Sequence, residues 1–112
     1  MGEGWGLVPF EHAATGAPQL VNDNSASSEI FAKGRGILMP VQEETMTAPK
    51  ILTEGSTASV HDIAEAMQYA YENPEEMQDM ADAMYDYIKQ PEFEWKNIAA
   101  RWDSLFDELI GS

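Results

Sequence analysis

The sequence predicts an α/β fold: a partial Rossmann-like domain with a few short parallel strands, followed by three C-terminal helices. Three observations predict it. The two clear strand cores, Leu20-Val21 and Ile37-Leu38-Met39, are separated by a helical crossover, which parallel neighbours require. Strand signals are confined to the N-terminal part, and strongly periodic helical signals follow Ser59. Two strands cannot complete a doubly wound sheet, because a parallel sheet needs helices on both faces and neighbours on both edges. The 112 residues are therefore read as a single partial domain: an α/β portion over 1–58, with a long loop at 41–58, and a helical tail over 59–112.

Each element has a local reason. Gly4 and Gly6 mark a flexible loop, and Pro9 suits the first helical position, where a missing N–H costs little. Phe10 to Thr15 can form two helical turns, stopped by Gly16 and barred from continuing by Pro18. After Leu20-Val21, the run Asn22-Asp23-Asn24-Ser25 reads as a loop whose side chains bond their own backbone. Ser28 is a cap candidate for a short helix from Glu29 to Lys33, and Gly34-Arg35-Gly36 forces a turn into the second strand. From Val41 to Ala58 periodicity disappears, which predicts a long surface loop containing at most a brief strand at Lys50-Ile51-Leu52. Ser59 is an N-cap candidate with Asp62 in the first turn, and Ile63, Met67, Ala70 and Tyr71 fall on one face. Asn73, Pro74 and Glu76 suggest a capping box opening a helix with the stripe Met77, Met80, Ala81, Met84, Tyr85 and Ile88. Pro91 breaks that helix. The last helix carries Trp95, Ile98, Ala99, Trp102, Leu105, Phe106 and Leu109 on one side and ends at Gly111.

Composition narrows the function. Twenty acidic and six basic side chains give a formal charge of −14. That argues against nucleic acid and against an anionic membrane surface, both of which select for clustered Lys and Arg. Absence of cysteine removes disulfide and thiolate chemistry and fits a cytoplasmic setting. The start Met1-Gly2-Glu3-Gly4-Trp5 has neither a basic nor an apolar leader segment, and no apolar run approaches membrane-spanning length.

The chemical signal lies in Glu3-Gly4-Trp5-Gly6-Leu7-Val8-Pro9-Phe10-Glu11. Gly4 and Gly6 allow a ligand close to the backbone. N–H groups of Gly6, Leu7 and Val8 at a helix start favour a phosphate. Glu3 and Glu11 flank this cradle, and carboxylates accept hydrogen bonds from sugar hydroxyls. A phosphate flanked by two sugars is the layout of a nucleoside-diphosphate sugar. The bland alternative is a solvated Glu3 and a Glu11 that only complements the helix dipole.

The same segment resembles the glutamate-pair motif of the family 4 (group 1) retaining glycosyltransferases, whose pattern runs Glu-Gly-Phe-Gly-Leu, three residues, Glu-Ala, then a helix ending Gly-x-Pro before a strand. Here Glu3-Gly4-Trp5-Gly6-Leu7 is followed by Glu11-His12, Gly16-Ala17-Pro18 and Leu20-Val21. Ser28-Glu29-Ile30, Gly36-Ile37-Leu38-Met39, Val60 to Ala70 and Phe93-Glu94-Trp95-Lys96-Asn97-Ile98-Ala99 are similar to later segments of that family.

The resemblance implies a GT-B fold whose second domain holds the donor, and transfer of a sugar with retained configuration, without a required metal or other cofactor. Glu3 then inherits contact with the donor sugar and is the candidate catalytic residue. The backbone of Trp5, Gly6, Leu7 and Val8 would meet sugar and diphosphate, and Glu11 would hold the nucleotide ribose.

The departures are Trp5 for Phe, His12 for Ala, and no glycine pair in Asn22 to Ala26. The acceptor domain and the phosphate-binding cations of the family would precede this segment. The resemblance thus implies a missing N-terminal acceptor domain or partner chain, a membrane link only through a full-length enzyme, and no transferase activity for this chain alone. A split-enzyme subunit or binding module, and a small acidic helical adaptor unrelated to sugars, remain as other readings.

The remaining patterns read as structural. The Met77, Met80 and Met84 stripe is core packing, and Asp79, Asp82 and Asp86 form a solvated face rather than a calcium site. His12 and His61 are helix-surface residues without an evident partner. Lys33 and Arg35 are turn residues. Trp95 and Trp102 anchor the last helix rather than stack a sugar, and its apolar face, where uncovered, predicts self-association.

Overall fold

The computed structural model describes residues 4–46 and 54–111. Its elements are α1 (Leu7–Ala13), β1 (Leu20–Asn22), α2 (Ser25–Ile30), β2 (Ile37–Met39), β3 (Val41–Met46), β4 (Glu54–Ala58), α3 (Val60–Glu72), α4 (Pro74–Ile88), a 3-10 turn at Pro91–Phe93, and α5 (Trp95–Ile110). β1 and β2 pair in parallel, with Leu20 opposite Ile37, Val21 opposite Leu38 and Asn22 opposite Met39. The helical crossover between them is α2, as the α/β reading required.

The hydrophobic centre sits where this strand pair meets the helices. Ala13 of α1, Val21 of β1, Ile30 and Phe31 at the end of α2, and Met84 of α4 form one buried cluster. Phe10, Ala26, Leu38, Tyr87 and Ile88 pack around it. The α4 stripe behaves as its periodicity predicts: Met77, Ala81 and Met84 are buried, and Met80, Tyr85 and Ile88 are half-buried. Gly36 lies where a side chain would be crowded, since a Cβ there would stand 3.1 Å from the Gln19 carbonyl oxygen and 3.1 Å from the Phe31 ring. The absent side chain lets the chain pass between the Phe31 ring and the start of β1.

Several local expectations are corrected. α1 begins three residues earlier than Phe10, because Gly6 adopts a left-handed conformation (φ 82°) and serves as the N-cap. Pro9 is then the third helical residue, still within the turn whose N–H groups lack helical partners. α2 begins at Ser25, with an extended Asn24 at the N-cap position and no side-chain cap bond, so Ser28 lies inside the helix rather than at its start.

The stretch read as a long loop contains an antiparallel hairpin, β3 with β4, running from Val41 opposite Ala58 to Met46 opposite Glu54. It carries no alternating apolar pattern, so periodicity could not reveal it. The strand suggested at Lys50-Ile51-Leu52 lies outside the described residues.

Ser59 caps α3 as predicted, its Oγ accepting from the Asp62 N–H at 3.0 Å. The Asn73 capping box does not form. The Asn73 amide instead donates to the Tyr69 carbonyl at 2.8 Å, closing α3, and Glu76 accepts from the Tyr69 hydroxyl. That hydrogen bond holds the Tyr69 phenol above its usual range. On α3 only Ala66 is buried; Met67 and Tyr71, expected on an inner face, are exposed. A two-stranded sheet is too narrow to cover the whole stripe.

α5 departs furthest from an ordinary terminal helix. None of its residues is buried. The radius of gyration is 17.4 Å, against about 13 Å for a compact domain of this length. Much apolar surface that would normally face a core therefore remains open. Among the described residues, no helix is long and apolar enough to cross a membrane.

Candidate functional site

The sequence places the site at the loop before α1, and the structure builds a cleft there. Its volume is about 940 Å³. One wall comes from Gly4, Trp5, Leu7, Phe10 and Glu11; α2 contributes Ala26, Glu29 and Ile30. The opposite side comes from Tyr87, Glu92 and Phe93, and from Trp95, Ile98, Arg101 and Trp102 of α5.

The loop is held by aromatic packing. Trp5 meets Phe10 edge-on at 5.4 Å between centroids and lies tilted against Phe93 at 5.7 Å. Phe10 and Phe93 are 5.5 Å apart, and Tyr87 joins Phe93 at 5.0 Å, both edge-on. Such geometry matches positive ring edges to negative faces. The Trp5 ring thus anchors the loop to the 3-10 turn, leaving the loop backbone to line the approach to α1. Arg35 braces the same region from behind: its guanidinium lies 4.0 Å from the Tyr87 ring centroid, and it donates to the carbonyls of Ile30 at 2.7 Å and Glu29 at 2.9 Å. It is a turn residue, as expected, and also caps the end of α2.

Of the predicted site residues, Trp5, Leu7 and Glu11 line the cleft together. Gly6 supplies the left-handed turn that starts α1. Val8 is 80% exposed and lies outside the cleft lining. Glu11 belongs to the second turn of α1, not the first, because the helix starts at Leu7. The start of α1 has no side-chain cap, so the N–H groups of Leu7 and Val8 have no side-chain acceptor there. Glu3 lies outside the described residues.

Sequence reading missed Glu29, Glu92 and Arg101 as cleft residues. No local signal marks them, since each depends on a distant segment folding back toward α1. Glu11, Glu29 and Glu92 face a single cation, Arg101, among the cleft residues, an unfavourable balance for a free diphosphate. Trp95 and Trp102 were expected to anchor their helix; both are exposed instead and belong to the cleft lining.

His12 does have a partner. The Gln19 side-chain nitrogen lies 2.8 Å from His12 Nδ1 and also donates to the Ala17 carbonyl at 3.1 Å. The Ala17 contact fixes the nitrogen end of the amide, so Nδ1 is the acceptor and neutral His12 carries its proton on Nε2. This ties α1 to the buried Gln19 that precedes β1. His61 pairs with Glu65 at 3.3 Å on the exposed face of α3. Among the described residues, no group of three or more acidic or imidazole side chains could hold a metal ion.

A family model described as Family 4 Glycosyltransferase in conflict systems matches residues 1–102. That span includes the loop, the glutamate-pair segment and the first half of α5. No curated protein and no solved structure matches the chain.

Proposed function

The chain belongs to the family 4 glycosyltransferases of conflict systems, and from that premise we propose that it is the donor-binding portion of a retaining glycosyltransferase. In this reading the loop from Glu3 to Val8 meets the sugar and diphosphate of a nucleoside-diphosphate sugar. Glu11 accepts hydrogen bonds from the nucleotide ribose, and Glu3 contacts the donor sugar as the catalytic residue. The observation that carries the reading is the family match across the glutamate-pair segment, with Trp5, Leu7 and Glu11 lining one cleft.

The chain would not work alone. Among the described residues of the cleft, three carboxylates and one cation make a poor phosphate site. An acceptor domain, upstream or on a partner chain, would bring both the acceptor and the missing positive charge. The purified chain is therefore expected to transfer no sugar to any offered acceptor; turnover near that of a two-domain enzyme would sink this view.

Ligand-observed NMR with UDP-, GDP- and ADP-sugars tests the donor site directly. One nucleotide class should show saturation transfer to its ribose protons, weak in the free chain and abolished by Glu11→Ala. The exposed Glu11 side chain is not part of the core, so the variant should fold normally. A signal indifferent to Glu11 would overturn the assignment. No signal from any nucleotide would remove the donor site from the isolated chain and leave the family assignment standing.

A further inference from the structure

α5 carries a second pattern, which extends past the residues it gives to the cleft. Trp95, Ile98, Trp102, Leu105 and Leu109 recur at alternating spacings of three and four residues. That is the seam of a two-helix coiled coil. Much of the seam stands open: Trp102 is 55% exposed and Leu109 73%. Sixteen residues give a helix about 24 Å long, and the exposed rings of Trp95, Trp102 and Phe106 alone offer on the order of 400 Å². About 800 Å² per partner characterises a stable protein interface, so the whole stripe is comparable to half of one.

Charge decides what covers it. The chain carries −14, which makes two copies repel wherever the bulk of their surfaces meet. α5 is the exception. Lys96 and Arg101 nearly balance Asp103, Asp107 and Glu108, so the helix contributes −1 and the rest of the chain −13. Its flanks are also self-complementary. Arg101 and Glu108 lie seven residues apart on the same side of the seam, whereas Ala99 and Phe106 lie seven apart on the other.

We propose that α5 pairs antiparallel with α5 of a second copy of this chain, in a two-fold dimer. Stacking Trp102 on Leu105 of the second copy, and Ile98 on its Leu109, fixes the register. In that register Arg101 faces the second copy's Glu108, and Phe106 covers its Ala99. Two-fold symmetry repeats each contact, so one favourable pair becomes two. A parallel pair would instead face Arg101 with Phe106 of the second copy, leaving the charge without a partner, and would set Trp102 beside Trp102 at the same level. The antiparallel arrangement pairs Arg101 with Glu108 and avoids the crowding of two indoles. Because Trp95, Ile98, Arg101 and Trp102 also line the cleft, a second copy seated on them covers the α5 side of that cleft. The pairing itself does not depend on the nucleotide-sugar reading.

Sedimentation velocity on the whole chain across a concentration series tests the dimer, with circular dichroism to confirm folding. The intact chain should dimerise at micromolar concentration. Arg101→Glu and Glu108→Arg should each weaken the dimer by roughly tenfold or more, since each breaks two pairs and creates like-charge contacts. The double variant Arg101→Glu/Glu108→Arg should restore it, and Leu105→Glu should abolish it. A chain that stays monomeric throughout overturns the proposal. So does a dimer indifferent to Leu105→Glu, or one in which the double reversal is no better than the single ones.

Discussion

Phe31→Ala is expected to abolish cooperative folding of the α/β portion. Phe31 is the largest fully buried side chain along with Met84, and it sits at the centre of the cluster made by Ala13, Val21, Ile30 and Met84. Truncating a buried phenylalanine costs about 3–5 kcal/mol, through lost transfer energy and the cavity left behind. Total stability for a domain of this size is about 5–15 kcal/mol, and a narrow sheet with an uncovered final helix places this chain near the lower end. Urea titration followed by near-ultraviolet circular dichroism should show a cooperative transition for the unaltered chain and none for Phe31→Ala. Phe31→Leu should keep the transition with a loss of roughly 1–2 kcal/mol. A Phe31→Ala variant that unfolds cooperatively within about 1 kcal/mol of the parent would mean that the core lies elsewhere.

The parts of this molecule that were legible in the sequence are those where one local rule acts without a competitor. The β1–β2 pair follows from two apolar strand cores and the crossover length between them. The α4 stripe follows from spacing alone, and Ser59, directly before the periodic run with Asp62 three residues on, caps α3. Where two candidates compete, position is lost. Asn24 and Ser28 could each open α2, and Asn73 could either cap α4 or close α3; it does the latter because the Tyr69 carbonyl is within reach of its amide. The hairpin from Val41 to Ala58 was hidden for a different reason. Its register rests on backbone pairing, which leaves no apolar alternation to read.

The candidate site divides the same way. The loop, Gly6 and Glu11 are local and were legible. The cleft was not, because its far wall comes from α5, at the other end of the chain. Periodicity gave that helix an apolar side but could not say what the side would face. The functional character of the cleft, apolar and acidic with one arginine, emerges only when the two ends meet.

Trp5 joins those two ends, and its removal should separate loop order from ligand chemistry. The ring packs on Phe10 and Phe93 and is 39% exposed. Two edge-type aromatic contacts at about 0.5–1.5 kcal/mol each put the stability cost of Trp5→Ala at roughly 1–3 kcal/mol. That is too little to unfold the chain. The larger consequence should fall on the donor site. Without the ring, nothing described here ties the Gly4–Gly6 segment to the 3-10 turn, and the backbone N–H groups that the proposed function assigns to the donor lose their fixed direction. Preorganisation of this kind is what a weak site can least do without, because ordering the loop on binding subtracts directly from affinity. Trp5→Ala is therefore expected to abolish the nucleotide-sugar signal in ligand-observed NMR although Glu11 is untouched. Trp5→Phe, which restores an aromatic edge against Phe10 and Phe93, should recover most of it. If Trp5→Ala lowers stability as expected but leaves the ligand signal intact, the loop backbone is not part of the donor site, and Glu11 would have to hold the nucleotide without it.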